Sequence, residues 1–243
     1  MQLLSFRDTV RNRAKTLVEL LYPVHCLVCM QPMAGPMRIC PACRGEALPL
    51  RPERRCPRCA RPDCDPRELC GRCQRHPPGF RAVHAPGAYR DPLAAWIREL
   101  KYGGQLGLVA TLAAVAEEGL GDWLTAHGCD LLVPVPLHPD RLAERGFNQA
   151  LLLARHLGRR HRLPTRAGAL RRTRPTPPQV GLADRHRAAN VRNAFIASAR
   201  RVAGRRIALV DDVVTTGATA DAATRSLLEA GAESVGIIAV ARA

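Results

Sequence analysis

Ile207-Ala-Leu-Val-Asp-Asp-Val-Val-Thr-Thr-Gly-Ala-Thr219 is the stretch that decides the fold. Its first four residues are continuously apolar and bounded by charge, which is typical of a buried parallel strand. Residues 218–230 carry apolar side chains at helical spacing, and Gly231 is suitably placed to end that helix. The intervening loop therefore joins the carboxyl end of a strand to a helix N-terminus. Sheets of α/β proteins bind phosphorylated ligands at such loops, because free backbone N–H groups and the helix dipole favour an anion.

Two carboxylates precede this loop, and they fit poorly beside an anion unless they serve another part of the ligand. Asp211 and Asp212 are suited to accept hydrogen bonds from vicinal sugar hydroxyls or to hold Mg²⁺ through water. Together with a phosphate loop, they indicate a phosphorylated ribose. The stretch resembles the phosphoribosyl pyrophosphate (PRPP) signature of type I phosphoribosyltransferases. A generic strand–turn–helix and a phosphotransfer aspartate pair are the alternatives, but neither requires the Thr-Thr-Gly-Ala-Thr loop.

The length of the chain, 243 residues, allows one sizeable α/β domain and a small appendage. No apolar run reaches the length of a transmembrane helix. Arg7 and Asp8 interrupt the N-terminal apolar residues before they could form a signal-peptide core. We therefore expect a cytoplasmic protein with no stable membrane insertion.

The charge of the chain is strongly positive, with a formal net charge of +16. Lys15 and Lys101 are the only lysines, so nearly all of this charge comes from arginine. An excess of basic over acidic residues predicts a polyanionic partner, either nucleic acid or a pyrophosphate ligand. Because a small ligand needs only a few of these charges, we also expect contact with single-stranded DNA or another nucleic acid.

Eight cysteines form two quartets with the same internal spacing, and the second quartet repeats the first thirty residues farther along the chain. A Cys-X-X-Cys pair chelates a metal ion from a tight turn, and two pairs complete a tetrahedral sulfur site for Zn²⁺. The two predicted structural zinc sites are ligated by Cys26, Cys29, Cys40 and Cys43, and by Cys56, Cys59, Cys70 and Cys73.

Other arrangements of these cysteines stay open at this point. Disulfide bonds are disfavoured in a cytoplasmic chain, whereas an iron–sulfur cluster would use the same thiolates. A cross-braced arrangement would pair the same eight ligands differently. Cys64 and Cys129 fall outside the repeat, and we predict an unused thiol at Cys64 and a small buried residue at Cys129.

The domain boundary is predicted near residue 80, because residues 74–79 have the composition of a linker. Residues 1–79 would then form an N-terminal helix and a double zinc-ribbon domain, and residues 80–243 a phosphoribosyltransferase-like domain. The N-terminal helix is expected over residues 8–21, which carry apolar side chains on one face.

Apolar patterns outline further elements of the second domain. Strands are expected from Val83 to Tyr89 at an edge, from Leu131 to Val135, near Asn190 to Ile196, and from Val235 to Val240 to close the sheet. Helices are expected from Pro92 to Tyr102, from Leu106 to Leu124 and from Gln149 to Gly158.

Two further segments are candidates for contacts with a pyrophosphate group. Lys101 stands before a glycine turn, where a cation could reach a phosphate, although it could equally be a solvated helix end. Residues 136–149 read as a proline-rich, basic loop in which Arg141 and Arg145 could supply charge. The long polar segment 171–187 would either cover the site as a mobile lid or bind a nucleic-acid backbone.

Several motifs occur in one order over nearly the whole chain. They are the cysteine pairs, Leu-Lys-Tyr at 100–102, Val-Pro-Val-Pro-Leu-His-Pro at 133–139, Arg-Gly-Phe-Asn-Gln at 145–149, Thr-Pro-Pro-Gln at 176–179 and the stretch quoted first. In this combination the sequence resembles the ComF family of competence-associated proteins. The resemblance implies a double zinc ribbon followed by a type I phosphoribosyltransferase fold, a mostly parallel sheet flanked by helices. It also implies a role in natural transformation, with internalised single-stranded DNA and competence-machinery proteins as partners.

The same resemblance implies roles for individual residues. The 5-phosphate of PRPP would be cradled by Thr215, Thr216, Gly217, Ala218 and Thr219, and the ribose hydroxyls would be held by Asp211 and Asp212. Leu137 and His138 would lie in the pyrophosphate loop, and Lys101 would contact the pyrophosphate, which PRPP carries together with Mg²⁺.

Two functional hypotheses follow. In the first, the protein is an enzyme that displaces pyrophosphate from PRPP–Mg²⁺ through an oxocarbenium-like state and transfers the ribose to an unidentified acceptor. In the second, it is a nucleic-acid-binding competence factor that uses PRPP as a ligand or merely keeps the fold. No general base is evident near the motif, so the sequence supports binding of PRPP more directly than transfer of its ribose.

Overall fold

The computed structural model describes residues 24–26, 29–33, 39–47, 54–174 and 194–243. The helix predicted over residues 8–21 lies outside these ranges, as does most of the segment predicted to be a lid or a nucleic-acid contact. Among the described helices, none is long and apolar enough to cross a membrane.

The described elements alternate between short strands and helices. The strands are β1 (Val24–His25), β2 (Pro32–Met33), β3 (Val83–His84), β4 (Gly87–Ala88), β5 (Leu131–Pro134), β6 (Leu170–Arg172), β7 (Phe195–Ala197), β8 (Arg206–Val210), β9 (Val213–Val214), β10 (Ser234–Ile238) and β11 (Ala241–Arg242). The helices are α1 (Pro41–Ala47), α2 (Gly71–Arg75), α3 (Leu93–Tyr102), α4 (Leu108–Ala116), α5 (Leu120–His127), α6 (Pro139–Arg145), α7 (Gln149–His161), α8 (Ala199–Val202) and α9 (Ala218–Glu229).

A parallel sheet stands at the centre of the fold, as the apolar runs predict. Within the described ranges it has four strands in the order β3-β10-β8-β5. The register places Ile207 of β8 beside Val235 of β10 on one side and Leu131 of β5 on the other. Because β10 is an interior strand, the prediction that it closes the sheet is wrong.

Three strands of this sheet stop and resume two residues later. In the described chain, β4, β11 and β9 follow β3, β10 and β8 and form a second parallel sheet in the order β4-β11-β9. Asp211 and Asp212 occupy the interruption between β8 and β9. The Asp211 N–H donates to the Ile238 carbonyl at 2.9 Å, and the Val240 N–H donates to the Asp212 carbonyl at 3.0 Å. The backbone of the acidic pair is thereby fixed between the two sheets.

Alternate side chains of β8 enter two different hydrophobic cores. Ile207 and Leu209 pack in one core with α9, whereas Ala208 and Val210 pack in the other with α3, α4 and α5. Successive side chains of a strand point to opposite faces, so a continuously apolar strand needs helices on both sides of the sheet. The structure supplies them, and the predicted α/β fold is confirmed.

Several element boundaries differ from the predictions. The helix predicted from Leu106 to Leu124 is divided into α4 and α5, because Gly119 adopts a left-handed φ of 69° between them. The segment from Val83 to Tyr89 contains β3 and β4 instead of one strand. Residues 136–149, predicted as a loop, contain the helix α6. The polar segment predicted from residue 171 begins within β6, which pairs antiparallel with β7.

The cysteine-bearing segments pack directly against the α/β domain. Cysteines of the first quartet join the core that contains α3, α4 and α5, and cysteines of the second join the core that contains α9. Hydrogen bonds also cross the predicted boundary. The Gly79 N–H donates to Asp221 Oδ1 at 2.7 Å, and Arg55 Nη1 donates to the Ala85 carbonyl at 2.7 Å. The boundary after residue 79 stays a prediction.

Candidate functional site

The eight predicted metal ligands form two clusters. In each quartet the Sγ atoms lie within 4.8 Å of one another. The Sγ atoms of Cys29 and Cys40 are 3.8 Å apart, and those of Cys59 and Cys70 are 3.7 Å apart. Four sulfur atoms bound to one Zn²⁺ at about 2.3 Å would be separated by about 3.8 Å, so both quartets fit a tetrahedral zinc ion. Each cluster is made of consecutive cysteine pairs, so the cross-braced arrangement is wrong.

The quartets also repeat each other in backbone detail. The N–H groups of Cys40 and Cys70 donate to the Sγ atoms of Cys26 and Cys56, each at 3.4 Å. The residue after the first pair of each quartet adopts a left-handed φ, 58° in the first and 53° in the second. This tight turn brings the two thiols of a Cys-X-X-Cys pair close enough to bind one metal ion. The internal repeat predicted from the spacing is therefore a repeat of structure as well.

Backbone N–H groups favour the ionised form of one thiol in the second quartet, that of Cys56. Burial raises the pKa of the Cys56 thiol, but N–H groups of Cys70, Cys59 and Arg58 outweigh this effect and lower the pKa to about 7. Thiolates, rather than thiols, bind zinc. The second quartet therefore offers a ligand that is already partly ionised near neutral pH.

The two remaining cysteines lie outside the clusters, as predicted. Cys64 Sγ donates to the carbonyl of Pro62 at 3.4 Å. Cys129 is partly buried and packs against the core that contains α3, α4 and α5. Neither belongs to a metal-binding group within the described chain.

A cleft of about 800 Å³ opens at the carboxyl ends of β5 and β8. This is the edge at which open α/β sheets bind their ligands. It is lined by most residues predicted to bind PRPP, namely Lys101, Leu137, His138, Asp211, Asp212, Thr215, Gly217, Ala218 and Thr219. Thr216 is not among the lining residues. Its Oγ1 accepts a hydrogen bond from the Ala218 N–H at 3.3 Å, which is a contact within the loop.

One wall of the cleft is the loop that precedes α9. Gly217 occupies the N-cap position with a left-handed φ of 80°, a conformation that glycine adopts without steric cost. The first turn of α9 follows and lines the cleft with Ala218, Thr219 and Ala220. The first N–H groups of a helix have no partner within the helix, and the helix dipole is positive at this end. This wall, formed by Thr215 and residues 217–220, is therefore suited to a phosphate ester, and we call it the phosphate wall.

The floor of the cleft contains a buried ion pair that the sequence did not predict. Asp212 is only 3% exposed, and its Oδ2 lies 2.7 Å from the Nζ atom of Lys101. Its Oδ1 accepts a hydrogen bond from the Val213 N–H at 2.8 Å. Burial lowers the pKa of Lys101, but attraction to Asp212 outweighs it, and the pKa lies above its ordinary value. Lys101 is therefore a fixed positive charge in the cleft.

Asp211 differs from its neighbour in its electrostatic surroundings. Its Oδ1 accepts a hydrogen bond from the Asp212 N–H at 2.9 Å. Burial, together with repulsion from the Asp212 carboxylate, raises the pKa of Asp211 to about 8, against the attraction of Lys101. The two carboxylates thus have different surroundings: Asp212 is paired with Lys101, whereas the pKa of Asp211 is raised to about 8.

This difference predicts a pH dependence of stability. Because its folded-state pKa lies above the ordinary value of 3.8, Asp211 stabilises the fold below that value, and the contribution is lost as the pH rises toward 8. Asp211→Asn should therefore raise the thermal midpoint relative to the parent protein at pH 8 and leave it nearly unchanged at pH 4. The exposed Asp91→Asn is the control for thermal unfolding at both pH values. An equal effect of Asp211→Asn at pH 4 and pH 8 would contradict the shift.

The wall opposite the α9 loop is built from the segment after β5. The Asn148 side chain fixes this segment, because its Nδ2 donates to the Val135 carbonyl at 3.0 Å while its Oδ1 caps α7. His138 caps α6, and its Nδ1 lies 3.3 Å from Asp140 Oδ2. Arg141 and Arg145 line the cleft, as their predicted role requires. This wall presents basic groups toward the phosphate wall.

Among the lining residues to which the sequence analysis assigned no role are Tyr89, Tyr102 and Arg172. Tyr102 is 75% exposed, and the Arg145 guanidinium carbon lies 5.4 Å from its ring centroid. Its position next to Lys101 at a helix end was a usable signal. Arg172 reaches the cleft from β6; it belongs to the segment predicted as a lid or a nucleic-acid contact, but no individual role in the cleft was predicted for it.

Comparisons with known proteins identify two domain families in the chain. A model of the double zinc ribbon domain matches residues 17–74, and a model of the phosphoribosyl transferase domain matches residues 150–243. Among solved structures, a glutamine PRPP amidotransferase from B. subtilis, complexed with ADP and GMP, aligns with 46% of this chain and 22% of that chain. It has 23% identity and a TM-score of 0.32.

Curated relatives match over greater lengths. Competence protein F of Haemophilus influenzae is 34% identical over 179 residues, which cover 72% of this chain and 78% of the relative. DNA utilization protein YhgH of Escherichia coli K12 is 33% identical over 232 residues, which cover 92% of this chain and 99% of the relative. Competence protein ComFC of Bacillus subtilis is 38% identical over 101 residues, or 42% of this chain and 39% of the relative.

Proposed function

The chain belongs to the ComF family of competence proteins, and from this premise we propose that it binds PRPP with Mg²⁺ in the cleft and contacts single-stranded DNA. We further propose that it acts in the cytoplasm, beside other proteins of the competence machinery, during DNA uptake. The observation that carries the PRPP proposal is the convergence of a phosphate-binding helix end, a carboxylate pair and a basic wall around one cleft.

Each part of PRPP matches a part of the cleft. The loop Thr215–Thr219 would hold the 5-phosphate through the first turn of α9. Asp211 would accept hydrogen bonds from the ribose hydroxyls, since its partner Asp212 is engaged by Lys101. The pyrophosphate would lie toward Leu137 and His138, with Lys101 and Arg141 as counter-charges. When bound, Mg²⁺ would neutralise part of the pyrophosphate charge.

The DNA proposal is supported by arginines outside the cleft. Arg159 and Arg160 are exposed at the end of α7, and Arg162 and Arg166 are exposed just after it. Arginine clusters of this kind bind a phosphate backbone without reading sequence, and their binding weakens as salt rises. The relatives named for competence and for DNA utilization support the same proposal.

Titration of PRPP–Mg²⁺ by calorimetry tests the proposed site. We expect Asp211→Asn to weaken the affinity at least about tenfold, since it removes an acceptor for charged or hydroxyl donors of the ligand. Asp91→Asn, an exposed aspartate paired with Arg98, should bind as tightly as the parent. Parent protein that does not bind PRPP, or an Asp211→Asn variant with unchanged affinity, would refute the site.

A second candidate function is active transfer of ribose 5-phosphate from PRPP to an acceptor. It is favoured by the His138–Asp140 contact on the pyrophosphate side of the cleft, because an imidazole beside a carboxylate is an arrangement found in general acid–base catalysis. Release of pyrophosphate in the presence of nucleobases, amines or single-stranded DNA would support transfer. Binding of PRPP without pyrophosphate release from any of these acceptors would leave the protein a PRPP-binding factor.

A further inference from the structure

Arg242 is a buried arginine outside every role described so far. It belongs to β11 and is 7% exposed. A buried guanidinium is costly unless its N–H groups are hydrogen-bonded. Arg242 meets this requirement with backbone carbonyls: Nε donates to Cys59 at 3.0 Å, and Nη1 donates to Val214 at 3.1 Å and also to Thr215 and Ala243.

These acceptors belong to two different sites. Cys59 is a ligand of the second zinc quartet, whereas Thr215 begins the loop that lines the phosphate wall of the cleft. Arg242 lies beside Val214 in the register of β11 and β9. A single rigid side chain therefore connects the metal-binding turn to the start of the phosphate loop. An arginine holds such acceptors in a fixed plane, which the point charge of a lysine cannot do.

We infer that Arg242 is a positioning residue through which the second zinc quartet sets the affinity of the cleft for the phosphorylated end of its ligand. The inference rests on the proposed function and adds a form of regulation to it. Zinc bound to the second quartet fixes the turn that carries Cys59, and Arg242 then holds the carbonyls of Val214 and Thr215. Without zinc the Cys59 carbonyl is free to move, and a buried donor of Arg242 loses its acceptor.

The proposed coupling acts on only one wall of the cleft. Only the phosphate wall is tied to Arg242 through Thr215. The opposite wall is held by Asn148, whose Nδ2 donates to the Val135 carbonyl, and none of the carbonyls to which Arg242 donates belongs to that wall. Loss of Arg242 should therefore weaken ligands that carry the 5-phosphate and spare ligands that occupy only the pyrophosphate side. A merely structural arginine would affect both ends alike.

The test compares Arg242→Lys with Arg205→Lys. Arg205 is a matched control because it also donates to a backbone carbonyl, that of Asp130, but it lies at the amino end of β8, away from the cleft. Calorimetry with ribose 5-phosphate and with inorganic pyrophosphate should show an affinity about tenfold weaker for ribose 5-phosphate in Arg242→Lys only, because a charged hydrogen-bond network is lost. Pyrophosphate affinity and zinc content should be unchanged in both variants. Equal affinities for ribose 5-phosphate in Arg242→Lys and the parent would overturn the inference.

Hydrogen exchange provides a readout that does not depend on any ligand. Amides of residues 214–219 should exchange faster in Arg242→Lys, and also in Cys70→Ser, which removes a ligand of the second quartet. Amides of β5 should keep their protection in Arg242→Lys, and in Cys70→Ser they should lose less protection than residues 214–219. If the parent protein binds neither ribose 5-phosphate nor PRPP, the proposed function fails, while faster exchange in this loop still supports the coupling. Unaltered exchange of residues 214–219 in both variants would disprove the coupling even if PRPP binds.

Discussion

Lys101→Met is expected to lower the free energy of unfolding by about 3 kcal/mol or more, because it leaves a buried carboxylate without its counter-charge. The Lys101 Nζ atom lies 2.7 Å from Asp212 Oδ2, and the two side chains are only 19% and 5% exposed. Because Asp212 is almost fully buried, water replaces the lost partner only poorly. Urea denaturation at neutral pH measures the effect.

A double-mutant cycle separates the ion pair from general damage to the cleft. Adding Asp212→Asn to Lys101→Met removes the orphaned charge and should recover much of the lost stability, with a coupling energy of at least about 2 kcal/mol. The exposed pair of Arg98 and Asp91, whose closest atoms are 3.0 Å apart, is the matched control. Arg98→Met should cost less than about 1 kcal/mol, as surface pairs do. If Lys101→Met and Arg98→Met lower the free energy of unfolding by the same amount, Lys101 and Asp212 do not depend on each other.

The pair also bears on how the cleft receives an anion. The positive charge of Lys101 is already balanced by Asp212. A bound pyrophosphate and the Asp212 carboxylate would therefore both interact with this lysine. Asp211 carries a proton near neutral pH and adds less negative charge than its type suggests. An acidic pair next to an anion site is therefore physically consistent: one carboxylate is compensated by lysine and the other is partly protonated.

Removal of zinc is expected to have the second large effect, lowering the thermal midpoint by at least about 10 °C. The reason is the position of the ligands in the cores: Cys56 and Cys73 are 1% and 2% exposed and pack with strands of the central sheet. Without metal, the two cysteine pairs of the quartet lose the cross-link that the zinc ion provides between them. Metal analysis of purified protein should give two Zn²⁺ per chain, and thermal unfolding after treatment with a strong chelator measures the loss.

Cysteine substitutions distinguish zinc ligation from cysteine packing. Cys56→Ser should reduce the zinc content to one ion per chain and lower the thermal midpoint. Cys64→Ser, in the same segment but outside the quartet, should keep both ions and nearly the full stability, since its thiol contacts only the Pro62 carbonyl among the bonds described. A folded protein that contains no metal and ignores the chelator would refute the zinc assignment.

Local patterns explain why much of the fold and site could be predicted. The strand before Asp211 and the helix after Gly217 follow from apolar periodicity, and α9 ends at Glu229, close to the predicted Ala230. The zinc ligands follow from spacing, because chelation by Cys-X-X-Cys needs only one turn of chain. The break between α4 and α5 also has a local signal, although one long helix was predicted there. Gly119, a glycine before a second apolar segment, allows the left-handed turn that divides the two helices.

From the sequence alone, the zinc quartets, the phosphate loop and the parallel α/β fold could be inferred, since each is encoded by residues close together in the chain. The tertiary structure decided which of these parts act on one another. It placed the acidic pair in a break between two sheets, paired Lys101 with Asp212, and joined Cys59 to Thr215 through Arg242. Such contacts depend on strand order and on burial, because charges attract strongly only where water is excluded, and neither condition is written in the spacing of residues.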